Sequence, residues 1–452
     1  VRARTWVLLL AAVFAVLQLA NVSGRDTPDT KNYLSYALSL RGEDKLSAAS
    51  ATIDYACASS ASIARRNQSV DVLHFHAPDP TGRVYADCRA AQWQQVDPRL
   101  RAGQTGGHTT PFLSARFMRI FEVRPGYPVF LVPFVTVFGV TWGLWAAGVA
   151  VTAAGGALAW LVLRRLGAPL PVALLGQALF YVLPCGATAM RPMSEGLQLT
   201  LTLAALWGCA LALTGRVRAG AGVTAAALFA LFTVKHSQSL FLGLCLAGAC
   251  ALLAVRRRRR GRAPGRGVLA LAAVGCCAAL GTVLTARVLH YPSESDSLQD
   301  LLTAHFTRPD RTRPWPELLH LEADFWLEWT RRQLWEPLFA TLLAAGAWGA
   351  LRRRPAFGAL LVGAAATGIL TQAGHPDMAI WGDRLIVLAW LLPVLGVPLL
   401  LEPAVVALGA QTATAGTGAT AAGTEAAATS RPGVAAEATA EALPMATGHS
   451  MR

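Results

Sequence analysis

Ten apolar runs divide the chain: residues 6–22, 140–163, 168–187, 195–213, 219–234, 239–255, 267–289, 334–351, 355–373 and 385–401. A helix rises 1.5 Å per residue, so about 20 apolar residues cross the ~30 Å hydrocarbon core of a bilayer. Within lipid the backbone must satisfy its own polar groups, which leaves helices or closed barrels. The expected fold is therefore all-α, a polytopic transmembrane bundle of about ten helices with a long first extracytoplasmic loop. Composition agrees and excludes a soluble enzyme. Residues AVILMFWYC make up 54% of the chain, charged residues only 15%, and mean hydropathy is +0.42.

The net charge of +14 does not point to nucleic acid, because the basic residues lie in short groups between apolar runs. That pattern is a topology signal. With the N-terminus inside, Arg164 and Arg165, Arg216 and Arg218, the run 256–260, and residues 352–354 all fall in cytoplasmic loops, as the positive-inside rule requires. Of 26 acidic residues, 22 then fall on the outer side and four in the C-terminal tail. The first run follows Arg2 and Arg4 and is read as a retained helix, not a cleaved signal peptide. The expected location is the plasma (inner) membrane, multi-pass, with both termini cytoplasmic.

Residues 1–401 form the expected membrane domain, and 402–452 an Ala/Thr-rich cytoplasmic tail too poor in large apolar residues to fold. Three outer segments exceed a simple turn. Segment 23–139 carries most of the polar chemistry. Segment 290–336 places Leu318, Leu321, Phe325 and Trp329 at helical spacing, which suits an interfacial helix. Segment 374–384 holds His375, Asp377, Asp383 and Arg384. Cys57 and Cys88 are the two loop cysteines, and an oxidising compartment would let them pair. The alternation His74-Phe75-His76 reads as a strand face rather than a metal site.

Candidate chemistry gathers on the outer side. Asp26 and Asp29 follow the first run, with Pro28 between them and Tyr33 one turn on. Asp29 is either an N-cap for a helix through Tyr33 or a carboxylate poised to deprotonate an acceptor hydroxyl. Glu122 and Arg124 precede Pro125-Gly126-Tyr127-Pro128 and the apolar segment 129–139, which is too short to span and would dip into the interface. Those two residues are either a surface ion pair or the mouth of a site. Arg191 and Glu195 join two helices, and Lys235 and His236 occupy an outer turn where a cation can simply snorkel.

The order of these motifs resembles membrane-embedded GT-C glycosyltransferases, notably the protein O-mannosyltransferase and aminoarabinose lipid A transferase group. The likeness rests on Asp29-x-x-x-Tyr33 with Ala37 and Leu40-Arg41-Gly42, Arg124-Pro125-Gly126-Tyr127-Pro128 running to Phe138-Gly139, and Arg164-Arg165-Leu166-Gly167. Ser194-Glu195 and Thr233-Val234-Lys235-His236-Ser237 continue the series. It covers the first half of the chain in order and the second half in layout. It implies a polyprenyl-phosphate sugar donor, inverting transfer, and a glycan, lipid or protein acceptor beside membrane lipid. It also implies that Asp29, or Asp26, is the base. Tyr33, Arg124, Tyr127, Arg191, Glu195, Lys235, His236 and Arg384 would bind substrate, and a divalent metal would be associated with Glu122. Two features depart from the pattern: the family's paired Asp-Glu is replaced by separated Asp26 and Asp29, and the first loop is unusually long. A transporter or flippase of lipid-linked substrates is the rival reading, but it calls for ionisable residues near helix centres and repeated halves, which this sequence lacks. A non-catalytic member of the same fold is the third.

Overall fold

The structure, a computed structural model, describes residues 3–378 and 384–408. Among them every regular element is helical and none is a strand. In chain order the helices are α1 (Ala3–Gln18, with a 3-10 turn to Asn21), α2 (Thr30–Leu40), α3 (Lys45–Ser69), α4 (Thr81–Arg101), α5 (Ala115–Glu122), α6 (Gly126–Arg165) and α7 (Leu170–Val182). There follow α8 (Pro184–Ala189), α9 (Ser194–Leu213), α10 (Val217–Val234), α11 (His236–Arg259), α12 (Arg266–Val288), α13 (Glu294–Leu302), α14 (Pro314–Trp335), α15 (Leu338–Arg353) and α16 (Pro355–Ala373). The last, α17 (Leu385–Leu408), opens as 3-10 turns over Leu385–Trp390.

Eight of these, counting α1 through to Asn21, are long and apolar enough to cross a bilayer: α1, α6, α9, α10, α11, α12, α16 and α17. A ninth crossing is available if α14 and α15, bent by 88° at their junction, act as one span. The chain is an all-α polytopic membrane protein. Run 168–187 is not a single span, however. Leu183 is extended (φ −79°, ψ 169°) because Pro184 disfavours the helical conformation of the residue before it, so α7 stops after 13 residues and α8 starts afresh.

α6 is two helices hinged at Gly139 (φ 71°, ψ −180°), a backbone state that favours glycine. A Cβ on Gly143 would meet the Phe134 carbonyl oxygen at 2.7 Å. Nine residues of straight helix advance ~13 Å, so the limb 126–138 must fold back on its successor. This limb is the segment expected to dip into the interface. Leu131 and Val135 on it are buried with Leu144 and Ala147 beyond the hinge.

Segment 23–125 is built of α2–α5 joined by loops, and residues 70–76 form a turn instead of the expected strand. α3 and α4 make a hairpin around Ala49, Ile53, Cys57, Val96 and Phe112. Cys57 and Cys88 join them in a disulfide with Cα atoms 5.5 Å apart. Closing a loop of this length constrains the unfolded hairpin by about 4 kcal/mol in the chain-entropy treatment. Cys57→Ser is therefore expected to make the hairpin protease-sensitive while the spans stay resistant, as limited proteolysis with peptide mapping would show.

The loops sort to two ends. At one, Arg116 bridges Asp296 and Asp310, Arg119 donates to the His290 carbonyl, and Thr30 donates to the Pro192 carbonyl. At the other, Arg165 donates to the Thr214 carbonyl, and Arg354 reaches both the Leu166 carbonyl and Glu402. The compact body is Val1–Glu402. The segment expected to be a structureless tail from 402 is helix up to Leu408, and the rest of it lies outside the described residues.

Candidate functional site

α2 lies buried on nearly every side, with Tyr33, Leu34, Ala37 and Leu38 in one cluster with Phe117, Phe121 and Tyr127. Thr30 anchors its first turn by donating to the Pro192 carbonyl at 3.1 Å. Asp29 occupies the N-cap position, yet its side chain makes no capping bond. It turns instead to Arg384, whose Nη2 donates to Asp29 Oδ2. Nε of the same guanidinium lies 3.5 Å from Glu195 Oε1. Ser194 donates to Glu195 Oε2 at 3.3 Å, and Tyr33 donates to Ser194 at 3.1 Å. Tyr33 is one helical turn from Asp29, so the five residues close a ring. Glu195 is 3% exposed, whereas Arg384 and Asp29 keep 17% and 21%, so the ring is sealed on the α9 side and open on the α2 side.

Two more cations join it. Lys235 is an extended residue (φ −158°, ψ 93°) between α10 and α11. Arg124 precedes α6, whose start packs against the end of α10: a Cβ on Gly126 would sit 2.4 Å from Thr233 Oγ1 and 2.9 Å from its carbonyl carbon. Glycine at 126 is what permits that approach, and it brings Arg124 beside Lys235. The charges of Glu195, Arg124, Arg384 and Asp29 all act on Lys235. Among the described residues three cations thus face two carboxylates. Nε of Arg124 and Nδ1 of His236 are buried with no hydrogen-bond partner among the described residues. A buried donor left without a partner costs stability, and a surplus of positive charge suits an anionic ligand. Arg191 lies in the turn between α8 and α9, its backbone carbonyl accepting from Met193 at 2.8 Å. Asp383, which could pair with Arg384, lies outside the described residues.

Other sequence candidates fall elsewhere. Tyr33 and Tyr127 are 1% and 4% exposed and pack edge to face at 5.2 Å. They brace the site from beneath, and burial pushes the Tyr33 phenol to about 12, so it stays a donor. Glu122 does not form the ion pair with Arg124 that its position suggested. Its carboxylate accepts from the amides of His108 and Thr109 and from the Thr109 hydroxyl, all within 3.0 Å, and so pins the loop 103–110. Among the described residues no three His, Cys, Asp or Glu side chains come together to hold a metal. The residues at Glu122 therefore do not fit the divalent metal that the resemblance implies.

Asp26 parts company with Asp29 and takes no part in the ring. Its amide donates to Ser59 at 3.1 Å, and its Oδ1 is buried without a partner. Burial pushes this carboxyl up to about 6, with Lys31 opposing. A carboxyl raised above its ordinary 3.8 binds its proton more readily when folded, so stability falls as pH climbs from about 4 through 6. Asp26→Asn is expected to raise the melting temperature at pH 7.5, by about 1–3 kcal/mol of stability, and to change little at pH 4.5. Thermal melts at both pH values check this.

His305 was not among the sequence candidates, and His375 was noted there only as part of segment 374–384. His305 shares a 3.0 Å hydrogen bond with Asp300, which together with the charge of Asp29 pushes the imidazole up. Burial pushes His375 down, against Asp377. The segment Ala304-His305-Phe306 holds three successive residues at positive φ (51°, 62°, 61°), a conformation that non-glycine residues seldom adopt. Phe306 packs on the α2 cluster beneath the Arg116 guanidinium, 4.3 Å from its ring. No sequence motif signals this strap. A surface hollow of about 650 Å³ over Arg89, Trp93 and Asp97 shares no residue with the cluster.

The fold and site define a polytopic membrane protein with a buried, cation-rich ion cluster at the acid-rich end of its bundle. No protein-family model, curated protein or solved structure matches the chain.

Proposed function

We propose that this is an integral membrane glycosyltransferase that moves a sugar from a polyprenyl-phosphate donor to an acceptor hydroxyl with inversion. The ring of Asp29, Arg384 and Glu195 with Arg124 and Lys235 beside it carries this reading. A lipid-linked phosphate needs cations near the membrane surface, and Arg124, Lys235 and Arg384 each flank the end of an apolar helix long enough to span. Arg124, Lys235 and, at the border, Arg191 would stabilise negative charge growing on the leaving phosphate oxygen as the bond to the anomeric carbon breaks. The acceptor oxygen forms the new bond from the opposite face. Its proton passes to Asp29 Oδ1, since Arg384 engages Oδ2.

The gathering of arginines at the far end of the bundle supports a cytoplasmic assignment for that end, with the site on the extracytoplasmic face of the plasma membrane. Among the described residues, the charged side chains of the ring lie at span ends and in loops, which favours surface transfer over passage through the bundle.

Purified protein incubated with a labelled polyprenyl-phosphate sugar should release the lipid phosphate and move label to an acceptor. Arg124→Ala and Lys235→Ala should each weaken donor binding by about 1.5–3 kcal/mol, roughly 10- to 100-fold, through loss of a charged hydrogen bond. Absence of both donor binding and transfer in the unaltered protein would overturn the proposal.

A further inference from the structure

Four large apolar side chains stand uncovered at the tip of the α3–α4 hairpin. Val70, Val72 and Leu73 are 79%, 85% and 84% exposed, and Phe75 is 52% exposed. Comparable exposure occurs along α1, at Leu8 (68%), Val16 (64%) and Leu17 (65%), where the side chains of a spanning helix meet lipid. A contiguous apolar patch facing water is unusual, so the surroundings of this tip call for an explanation.

Three contacts fix its height. The Asp26 amide donates to Ser59, the Ser23 hydroxyl donates to Ser62, and Arg66 donates to Asn21 Oδ1, at 3.1, 3.1 and 2.6 Å. Going from Asp26 back to Asn21 leads toward the end of α1, and hence toward the bilayer. The α3 partners meanwhile advance from 59 to 66, so α3 runs toward the membrane as it lengthens. Asn21 ends a 19-residue apolar helix. Such a helix is ~28 Å long and nearly fills the hydrocarbon thickness. Arg66 therefore already stands at the bilayer boundary, and the tip lies one turn farther along.

The loop suits that place. Asp71 Oδ1 accepts from the amides of Leu73 and His74, and the Asp71 carbonyl accepts from those of His74 and Phe75. Gln68 Nε2 donates to the Ala77 and Pro78 carbonyls. Backbone groups satisfied inside the loop are what a poorly hydrated interface demands.

We propose that residues 70–76 insert among the lipid headgroups and upper acyl chains beside α1, fastening the α3–α4 hairpin to the bilayer. The occupant is membrane lipid, because the tip continues the lipid-facing surface of α1. Only the membrane spans are required, so the inference is independent of glycosyl transfer.

Benzoylphenylalanine placed at Val72, Leu73 or Phe75 tests it in the full chain, reconstituted into phosphatidylethanolamine–phosphatidylglycerol vesicles carrying radiolabelled lipid. Gln94, on the exposed face of α4 and ~20 Å of helix from its start, is the control position. Irradiation should give lipid adducts from the three tip positions and none from 94. Equal labelling at 94, no lipid adduct at the tip, or adducts to a second copy of the chain would each overturn the proposal. Leu73→Asp with Phe75→Asp should abolish the adduct from 72 while leaving the melting temperature unchanged, since neither side chain is buried. Persistent labelling in that variant would also overturn it.

Discussion

Arg384→Ala is expected to be the most damaging single substitution in this protein, costing about 3–5 kcal/mol of stability and abolishing transfer. Among the described residues the guanidinium is the one group ion-paired with both Asp29 and Glu195. Taking it away leaves two largely buried carboxylates facing each other, with Arg124 and Lys235 as more distant compensation. Breaking a buried pair costs more than the pair contributes, because the remaining charges stay desolvated. Arg384→Lys should recover part of the stability but little activity, since a single ammonium cannot present a planar fork to two carboxylates. Thermal melts in detergent, paired with donor-binding assays, separate the two losses. A melting temperature within a degree or two of the unaltered protein would show that the ring does not hold α2 and α9 to the start of α17.

The spans were legible because their determinants are local. A run of apolar residues between arginine groups reads the same whatever packs against it, and the segregation of acids from arginines reappears as the two ends of the bundle. The break at Leu183 was missed, although Pro184 causes it, because the run 168–187 is apolar on both sides of it. The site was legible only in part. Asp29 and Arg384 are 355 residues apart, and nothing in either neighbourhood announces the other. Glu122 illustrates the reverse error. Its sequence position suggested a mouth, whereas the fold brings the loop with Gly106 and Gly107 over it and saturates its oxygens with amides. His305 depends on three left-handed residues that no propensity would assign to Ala, His and Phe.

Asp29→Asn tests the chemistry most directly, because the structure separates the two aspartates that the sequence offered together. General-base assistance is commonly a factor of ~100 to 10,000 in rate, so turnover should fall by that order. Folding should survive, as asparagine keeps the size of the side chain and an oxygen that can accept from Arg384. Donor binding should hold or tighten. The cluster loses one negative charge, and its cation surplus over the carboxylates rises from one to two among the described residues. A fall in turnover with undiminished donor affinity is the pattern of an interaction made in the transition state and not in the ground state. Asp26→Asn, whose side chain takes no part in the ring, should leave turnover within a few-fold while shifting the pH dependence of stability. The opposite pattern, with Asp26→Asn inactive and Asp29→Asn fully active, would move the base to Asp26 and leave the ring a purely structural clasp. Full activity in both variants would remove the carboxylate base altogether, and with it the chemical step assigned to this site.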